Sequence, residues 1–404
     1  MGMNAGENPV TSWLRRQTGL GEKLNPDSLL AWQREQVKNI REYAGSHCRF
    51  YEKERTFTTP EEVRREPEAL LCVPPKEIAR IITLRTSGSQ GIAKRIFFTA
   101  EDLEATADFF TPGMMLLTKP GQNVVVFMEG AGEFTIGGLL KKALKRNDVG
   151  CLVHGLIRDF DAAGKAAEGA DCLVGIPGQL LHLARLRPDL HPKTVLLSGD
   201  YVPESVCRKL RSAWGTEVFH HWGMTETGYG GGVECGAHTG SHLRHGDLFL
   251  EIIDPESEEP VDAGVYGEIV LTTFARRGMP LIRYRTGDIG RLLAEPCGCG
   301  DPLLRLDKVM GRKENLIFLP DGGVVSIHLL DEAVFACAGV RDFSVRMTPE
   351  KEFFFRVAGE TADLDEIRGV LAKQFPELSF QLERAAELPF LGNGKRNIQR
   401  IDGR

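Results

Sequence analysis

Between His220 and Gly228 the chain reads HHWGMTETG, two histidines, a tryptophan, two threonines and a glutamate set among glycines. Glycine lets backbone approach a ligand closely, threonine offers a hydroxyl, and a carboxylate oxygen is a ligand for Mg²⁺. A second segment, TLRTSGSQGIAKRIFFT over Thr83–Thr99, places small hydroxylated residues and glycines between two β-rich runs. A hairpin tip of that kind wraps phosphate with backbone N–H groups and hydroxyls, although no Gly-Lys-Ser/Thr follows at Walker spacing. The third constellation is built on thiols. ECGAHTGSHLRH supplies Cys235, His238, His242 and His245, and EPCGCGDP supplies Cys297 and Cys299. A CxC pair with a distant Cys and His provides the four N/S ligands of a tetrahedral structural zinc, with no position left open for catalysis. Spacing alone leaves the choice of histidine open, and a tight CGCG turn with free thiols is the competing reading.

The elements that must position these residues are legible from periodicity. DSLLAWQREQVKNIREYA, residues 27–44, has apolar residues at helical spacing, with Asp27 able to cap its start. From about Gln122, β-rich runs alternate with helical ones: NVVVFM, GGLLKKALKR, GCLVHG, DCLVGIP, GQLLHLARLR, KTVLLSG, PESVCRKLRSAW and TEVFHHWG. That alternation predicts an α/β fold whose sheets are mostly parallel and flanked by helices. After Gly246 helical patterns stop, and DLFLEIID, GEIVLTTF and IGRLLAE mark a strand-rich subregion over about 233–310. The last segment mixes strands (FSVRM, EFFFRVAG) with helices (IHLLDEAVFACA, LDEIRGVLAKQF), which predicts a small α+β domain beginning near Gly311.

At 404 residues the chain exceeds the length at which one core usually stops growing, so two domains are expected. A hydrophobic fraction of 42%, a charged fraction of 26% and a net charge of -6 give no basic surface for nucleic acid or anionic membrane. No apolar run approaches the ~20 residues of a membrane helix, and MGMNAGENPVTSWLRRQ lacks a signal-peptide core, so a cytoplasmic protein is expected. In that reducing setting the nine cysteines are not read as a disulfide framework. Cys48, Cys72, Cys151, Cys172, Cys207 and Cys337 are scattered and read as small core residues.

Taken in order, TSGSQG, HWGMTETG, LIRYRTGDIGRL, GRKENLIF and GNGKRNIQR make a set that resembles the adenylate-forming superfamily, specifically the phenylacetate–CoA ligase family. The resemblance runs over nearly the whole chain. It implies a large adenylation domain, 1–311, and a small mobile lid domain, 312–404, with ATP, Mg²⁺ and CoA as cofactors. Thr86, Ser87, Gly88, Ser89, Gln90 and Gly91 resemble the loop that closes over the ATP phosphates. Thr225 then meets the α-phosphate, Glu226 holds Mg²⁺, and His221, Trp222, Gly223 and Met224 line the nucleotide, with the indole replacing the usual ring on adenine. Ser198, Gly199, Asp200 and Tyr201 stand where the family places an adenine-binding loop. Asp288 resembles the carboxylate that accepts the ribose hydroxyls, Arg312 its companion, and Lys395 the lid lysine that bridges carboxylate and α-phosphate. The family pattern also selects His242 as the fourth zinc ligand beside Cys235, Cys297 and Cys299. Phe134, within Met128–Leu140, and the stretch Gly175–Gln179 fall where the family begins its acid-binding pocket.

The expected reaction joins a carboxylic acid, with an aryl acid in view, to AMP and then to CoA as a thioester. The alternatives are transfer of the acyl group to a carrier protein, a side chain or an amine, and a non-catalytic adenylate-binding relative. A binder has no need of a lid lysine, which argues against the last. The expected partners are a small carboxylate and CoA or another thiol, with a homodimer left open. Two departures stand out. Ile92 occupies the position after Gly91 where the family usually has lysine, with Lys94 two residues on, so ATP turnover is slow if Lys94 falls short of the phosphates. The hinge position two after Arg312 is Glu314 rather than aspartate, a change that keeps a swivel.

Overall fold

Local signals set most helices. Asn8 caps the helix Pro9–Thr18 by accepting from the Val10 N–H, Pro9 fits its first turn, and Gly19 ends it at φ 69°. The long helix Pro26–His47 begins one residue earlier than its apolar periodicity suggested. Its cap is Asn25, in a capping box with Ser28, and Asp27 lies inside the first turn. Thr99 caps the helix Ala100–Met115 in the same way through Asp102.

The computed structural model describes residues 7–84, 93–319, 323–386, 388 and 396–401. The phosphate-loop residues Thr86–Gly91 and the lid lysine Lys395 lie outside these. Two compact units emerge, residues 1–155 with 219–309, and residues 156–218 with 310–404.

In the first unit, strands Ile78–Leu84 and Lys94–Thr99 form an antiparallel hairpin in which Leu84 faces Lys94. Asn123–Phe127 and Gly150–Val153 pair in parallel, joined by the helix Ile136–Arg146. The strand Glu217–Trp222 leads into the second stretch of this unit, whose strands pair antiparallel. Trp222 faces Gly232, the strand Gly232–Glu234 pairs Ser241–Leu243, and Phe249–Ile253, Gly267–Thr272 and Tyr284–Gly290 form a meander. Leu243, Leu248, Leu250, Ile252, Ile269 and Leu306 fill the core of this strand-rich region, with Trp222 packed on its margin. No helix interrupts it between Gly228 and Gly311.

In the second unit, Cys172–Gly175 and Thr194–Leu197 pair in parallel across the helix Pro177–Leu186. The C-terminal stretch adds the helices Ile327–Ala336 and Leu364–Gln374 on a mixed sheet whose order is 379–385, 352–358, 342–347 and 398–400. The expected mixed α/β architecture holds. The second unit joins residues 156–218 to the C-terminal stretch. Lys209 Nζ donates to the Phe335 and Cys337 carbonyls at 2.6 and 2.7 Å, and Glu332 accepts from the Glu204 and Ser205 N–H groups at 2.7 and 3.2 Å. Among the described residues no helix is long and apolar enough to cross a membrane.

Candidate active site and metal centre

The segment HHWGMTETG leaves the strand Glu217–Trp222 and enters a single 3₁₀ turn, Thr225–Thr227. The turn is locked from inside. Thr227 Oγ1 accepts from the Met224 N–H and donates to the Met224 carbonyl, at 3.1 and 2.9 Å. Gly223 is required on steric grounds, since a Cβ there would sit 2.2 Å from the Tyr229 carbonyl oxygen. From outside, Thr106 Oγ1 donates to the Gly228 carbonyl at 2.9 Å, and Arg244 Nη1 donates to the Thr227 carbonyl at 3.3 Å.

This scaffold buries Glu226 at 2% exposure. A carboxylate so placed needs partners, because an isolated buried charge is expensive. Lys94 Nζ pairs with Glu226 Oε1, and it donates to the Tyr284 hydroxyl at 3.0 Å. The Tyr284 hydroxyl in turn donates to Glu226 Oε1 at 3.2 Å. Lys94 therefore reaches the glutamate expected to hold Mg²⁺. Arg276 Nη2 donates to the Glu226 carbonyl at 2.8 Å, and its guanidinium lies over the Phe98 ring, 4.5 Å from the centroid. Burial lowers Arg276 to about 10, so it keeps its charge at neutral pH. A hard-oxygen carboxylate with a displaceable ammonium beside it fits a divalent cation.

The other expected nucleotide residues divide between the units. His221 and Trp222 share the strand that leads into the turn, and desolvation pulls the His221 imidazole down to about 4, so it is neutral at pH 7. The Trp222 ring covers Gly231, where a Cβ would meet ring carbons at 2.4 Å. Asp288 is half-buried on the strand that begins with Tyr284, its N–H donating to Thr286 Oγ1 at 3.0 Å. Ser198, Gly199, Asp200, Tyr201 and Arg312 belong to the second unit. There Tyr201 stacks on His328 at 4.0 Å between centroids and donates its hydroxyl to Glu332 at 3.1 Å, and burial raises its phenol. Gln179, one of the residues expected near the acid pocket, braces Ile157 through its N–H and carbonyl, both at 3.2 Å.

Beside the expected lid lysine, Arg396 is 7% exposed in its side chain and ion-pairs with Asp331 at 2.8 Å, Asp342 at 3.0 Å and Asp200 at 3.5 Å. Burial pushes Asp331 up to about 7; Arg396 opposes the shift, and the neighbouring Asp200 and Asp342 add to it. Neither Arg396 nor Tyr284 nor Arg276 was distinguished by sequence pattern. Their roles depend on which strands and helices lie side by side.

The thiol constellation closes into one cluster. One ligand atom from each of Cys235, His242, Cys297 and Cys299 lies within 4.8 Å of every other. Cys235 Sγ and Cys297 Sγ are 3.5 Å apart, and Cys299 Sγ is 3.5 Å from His242 Nε2. Zn–S bonds of about 2.3 Å at tetrahedral angles place such ligands roughly 3.5–3.8 Å apart, so the donor set and its spacing fit zinc. Burial opposes ionisation of Cys297, yet the Cys299 N–H, Cys299, Thr239 and Cys235 together lower it to about 6, toward the thiolate a metal needs. His245 is engaged elsewhere, its Nε2 3.0 Å from the Leu304 carbonyl, and His238, at φ 50°, falls outside the four-ligand set.

Comparison with known proteins bears on the family and the fold. The family model described as AMP-binding enzyme matches residues 29–274. The phenylacetate-coenzyme A ligase of Thermus thermophilus is 25% identical over 343 residues, 74% of this chain and 73% of that protein. That of Escherichia coli is 24% identical over 289 residues, covering 69% and 65%. The chain spans 61% of the corresponding Pseudomonas putida enzyme. Among solved structures, 2-hydroxyisobutyryl-CoA ligase in the postadenylation state, in complex with R3-HIB-AMP, superposes with a TM-score of 0.79 at 17% identity, covering 96% of this chain and 92% of that one. ATP-bound MatB from Rhodopseudomonas palustris gives 0.56 at 17% identity, over 78% and 65%. At that identity the structural likeness carries the fold, and the family match carries the relationship: the chain belongs to the AMP-binding enzyme family.

Proposed function

We propose that this protein is an AMP-forming acid–CoA ligase, which activates a carboxylic acid with ATP and passes the acyl group to CoA. The observation that carries the reading is a buried Glu226–Lys94–Tyr284 cluster on the HWGMTETG turn of a chain in the AMP-binding family. In the first step a substrate carboxylate oxygen attacks the α-phosphorus, and the bond to the pyrophosphate leaving group breaks. In the second a thiol sulfur attacks the acyl carbonyl, gives up its proton, and AMP leaves.

The residues have separate tasks. The Thr225 hydroxyl, half-buried and without a hydrogen bond among the described residues, serves the α-phosphate. Glu226 holds Mg²⁺, which offsets phosphate charge, once Lys94 has turned toward the phosphates. The loop Thr86–Gly91 wraps those phosphates, Asp288 accepts the ribose hydroxyls with Arg312 beside it, and Ser198–Tyr201 border the adenine. Lys395, on a lid of residues 312–404 that pivots near Glu314, offsets charge as the acid attacks. The Cys235, His242, Cys297, Cys299 set holds a structural zinc. A cytoplasmic setting, where ATP and CoA are available and thiols stay reduced, goes with this reading.

Phenylacetate heads the panel of acids to test, because the curated relatives act under that name. AMP release that needs both an acid and ATP, and that rises with CoA, is the expected result. Release independent of CoA would move the acceptor to an amine or a carrier thiol, and no release with any acid would remove the ligase reading. With a substrate in hand, Lys395→Ala should slow formation of acyl-AMP ~10²–10³-fold while thioester formation from supplied acyl-AMP continues. Equal loss of the two steps would make the lysine structural.

A further inference from the structure

The Cys–His cluster has an outer layer that the cysteine spacing does not announce. His242 Nδ1 lies 3.1 Å from Asp301 Oδ2, and Thr11 Oγ1 donates to that same oxygen at 2.5 Å. Asp301 Oδ1 accepts the Leu303 N–H at 2.8 Å, so the carboxylate is fixed at both oxygens. Asn8 Nδ2 donates to Cys299 Sγ at 3.5 Å while its Oδ1 caps the Val10 N–H at 2.9 Å. Asn8, Thr11, His242 and Asp301 are all below 8% exposure.

We propose that Asp301 is the positioning residue of a zinc centre at Cys235, His242, Cys297 and Cys299, and that Asn8 and Thr11 tether the helix Pro9–Thr18 to it, so that the metal fixes this helix. The proposal rests on the structural zinc described above and is independent of the ligase chemistry. Its physical basis is tautomer control. An acceptor at Nδ1 keeps the proton there, which leaves the Nε2 lone pair on the side where Cys299 Sγ stands. Three thiolates and one neutral imidazole around Zn²⁺ carry a net negative charge, and N–H donors to sulfur offset it. Asn8 supplies one to Cys299, and the Ala237 N–H supplies another to Cys235 at 3.4 Å.

The tether continues inward. Trp13 Nε1 donates to Asp108 Oδ2 at 2.7 Å, and the indole meets Phe109 edge-on at 5.5 Å, on the helix Ala100–Met115. That helix also carries Thr106, which holds the Gly228 carbonyl at the end of the HWGMTETG turn. Metal at the cluster thus braces, through one helix, the element that supports the glutamate turn.

The test uses full-length protein purified without a histidine tag. Metal analysis should give about one zinc per chain, and chelator competition should show Asp301→Asn binding zinc 10–100-fold more weakly, since an amide cannot accept from His242 Nδ1 and Thr11 Oγ1 with its nitrogen. In cobalt-substituted protein the visible d–d bands should shift in Asp301→Asn, a change that altered packing alone would not produce. Hydrogen exchange of the amides in residues 10–18 should accelerate on chelation in the wild type. If Asp301→Asn fails to fold, Asn8→Ala and Thr11→Val should each release zinc several-fold faster than the wild type. Zinc in the wild type with unchanged affinity and spectra in these variants, or unchanged exchange in the helix on chelation, overturns the proposal. A wild type free of zinc overturns the metal site itself, and neither result bears on the ligase reading.

Discussion

At the scale of single residues, Lys94 neutralises Glu226, and this sets a competition with Mg²⁺. Lys94→Met leaves a carboxylate at 2% exposure without its cation. Breaking a buried pair from one side typically costs about 3–5 kcal/mol, whereas Tyr284→Phe, which removes one neutral bridge, should cost about 1 kcal/mol. Urea denaturation measures both. A second readout isolates the electrostatics: millimolar Mg²⁺ should restore much of the lost stability in Lys94→Met and change the wild type little, compared with a matched ionic strength of a monovalent salt. An equal response of the two proteins to Mg²⁺ would mean that Glu226 is not a cation site.

The elements of the C-terminal stretch meet at a charge imbalance. The helix Ile327–Ala336 contributes Asp331, the strand Asp342–Met347 contributes Asp342, the loop after Thr194–Leu197 contributes Asp200, and one guanidinium, Arg396, faces all three. Asp331 is held protonated up to about 7, while in the unfolded chain it loses its proton near pH 4. Between those values the native state binds more protons than the unfolded one, so this group makes stability fall as pH rises toward 7 and leaves it level above. Asp331→Asn removes that slope. The melting temperatures at pH 5 and pH 8 should therefore lie closer together in Asp331→Asn than in the wild type, and an unchanged difference would show that Asp331 is ionised throughout.

For the molecule as a whole, the two compact units do not follow the chain in series. Residues 156–218 are joined to 310–404 by the Lys209, Glu332, Tyr201 and Arg396 contacts, together with Arg185, which donates to the Val340 carbonyl. A fragment of residues 1–311, cut where the sequence places the domain joint, loses every one of these partners. It should melt roughly 5–10 °C below the full chain, as a deficit of a few kcal/mol implies for a protein of this size, and should bind a hydrophobic dye. A fragment that melts like the full chain would mean that residues 156–218 need no support from the C-terminal stretch.

What the sequence determined by itself was everything that depends on neighbours along the chain. The alternation from Gln122 to Trp222, the strand-rich region and the terminal α+β segment follow from side-chain period, and the ordered motifs assign the family without any contact being known. Cysteine chemistry and motif order also named Cys235, His242, Cys297 and Cys299, which the fold assembles from two short segments on either side of the meander. Choices between near neighbours were less secure: Asn25 rather than Asp27 caps the long helix because its side chain reaches the Ser28 N–H in a capping box, which composition does not decide. Only tertiary structure decided the partners of buried charged and polar groups. Glu226 needs Lys94 and Tyr284, His242 needs Asp301, and Arg396 needs three aspartates, because a desolvated charge or polar atom takes whatever complementary group the packing brings near, and that depends on strand register and helix docking rather than on sequence distance.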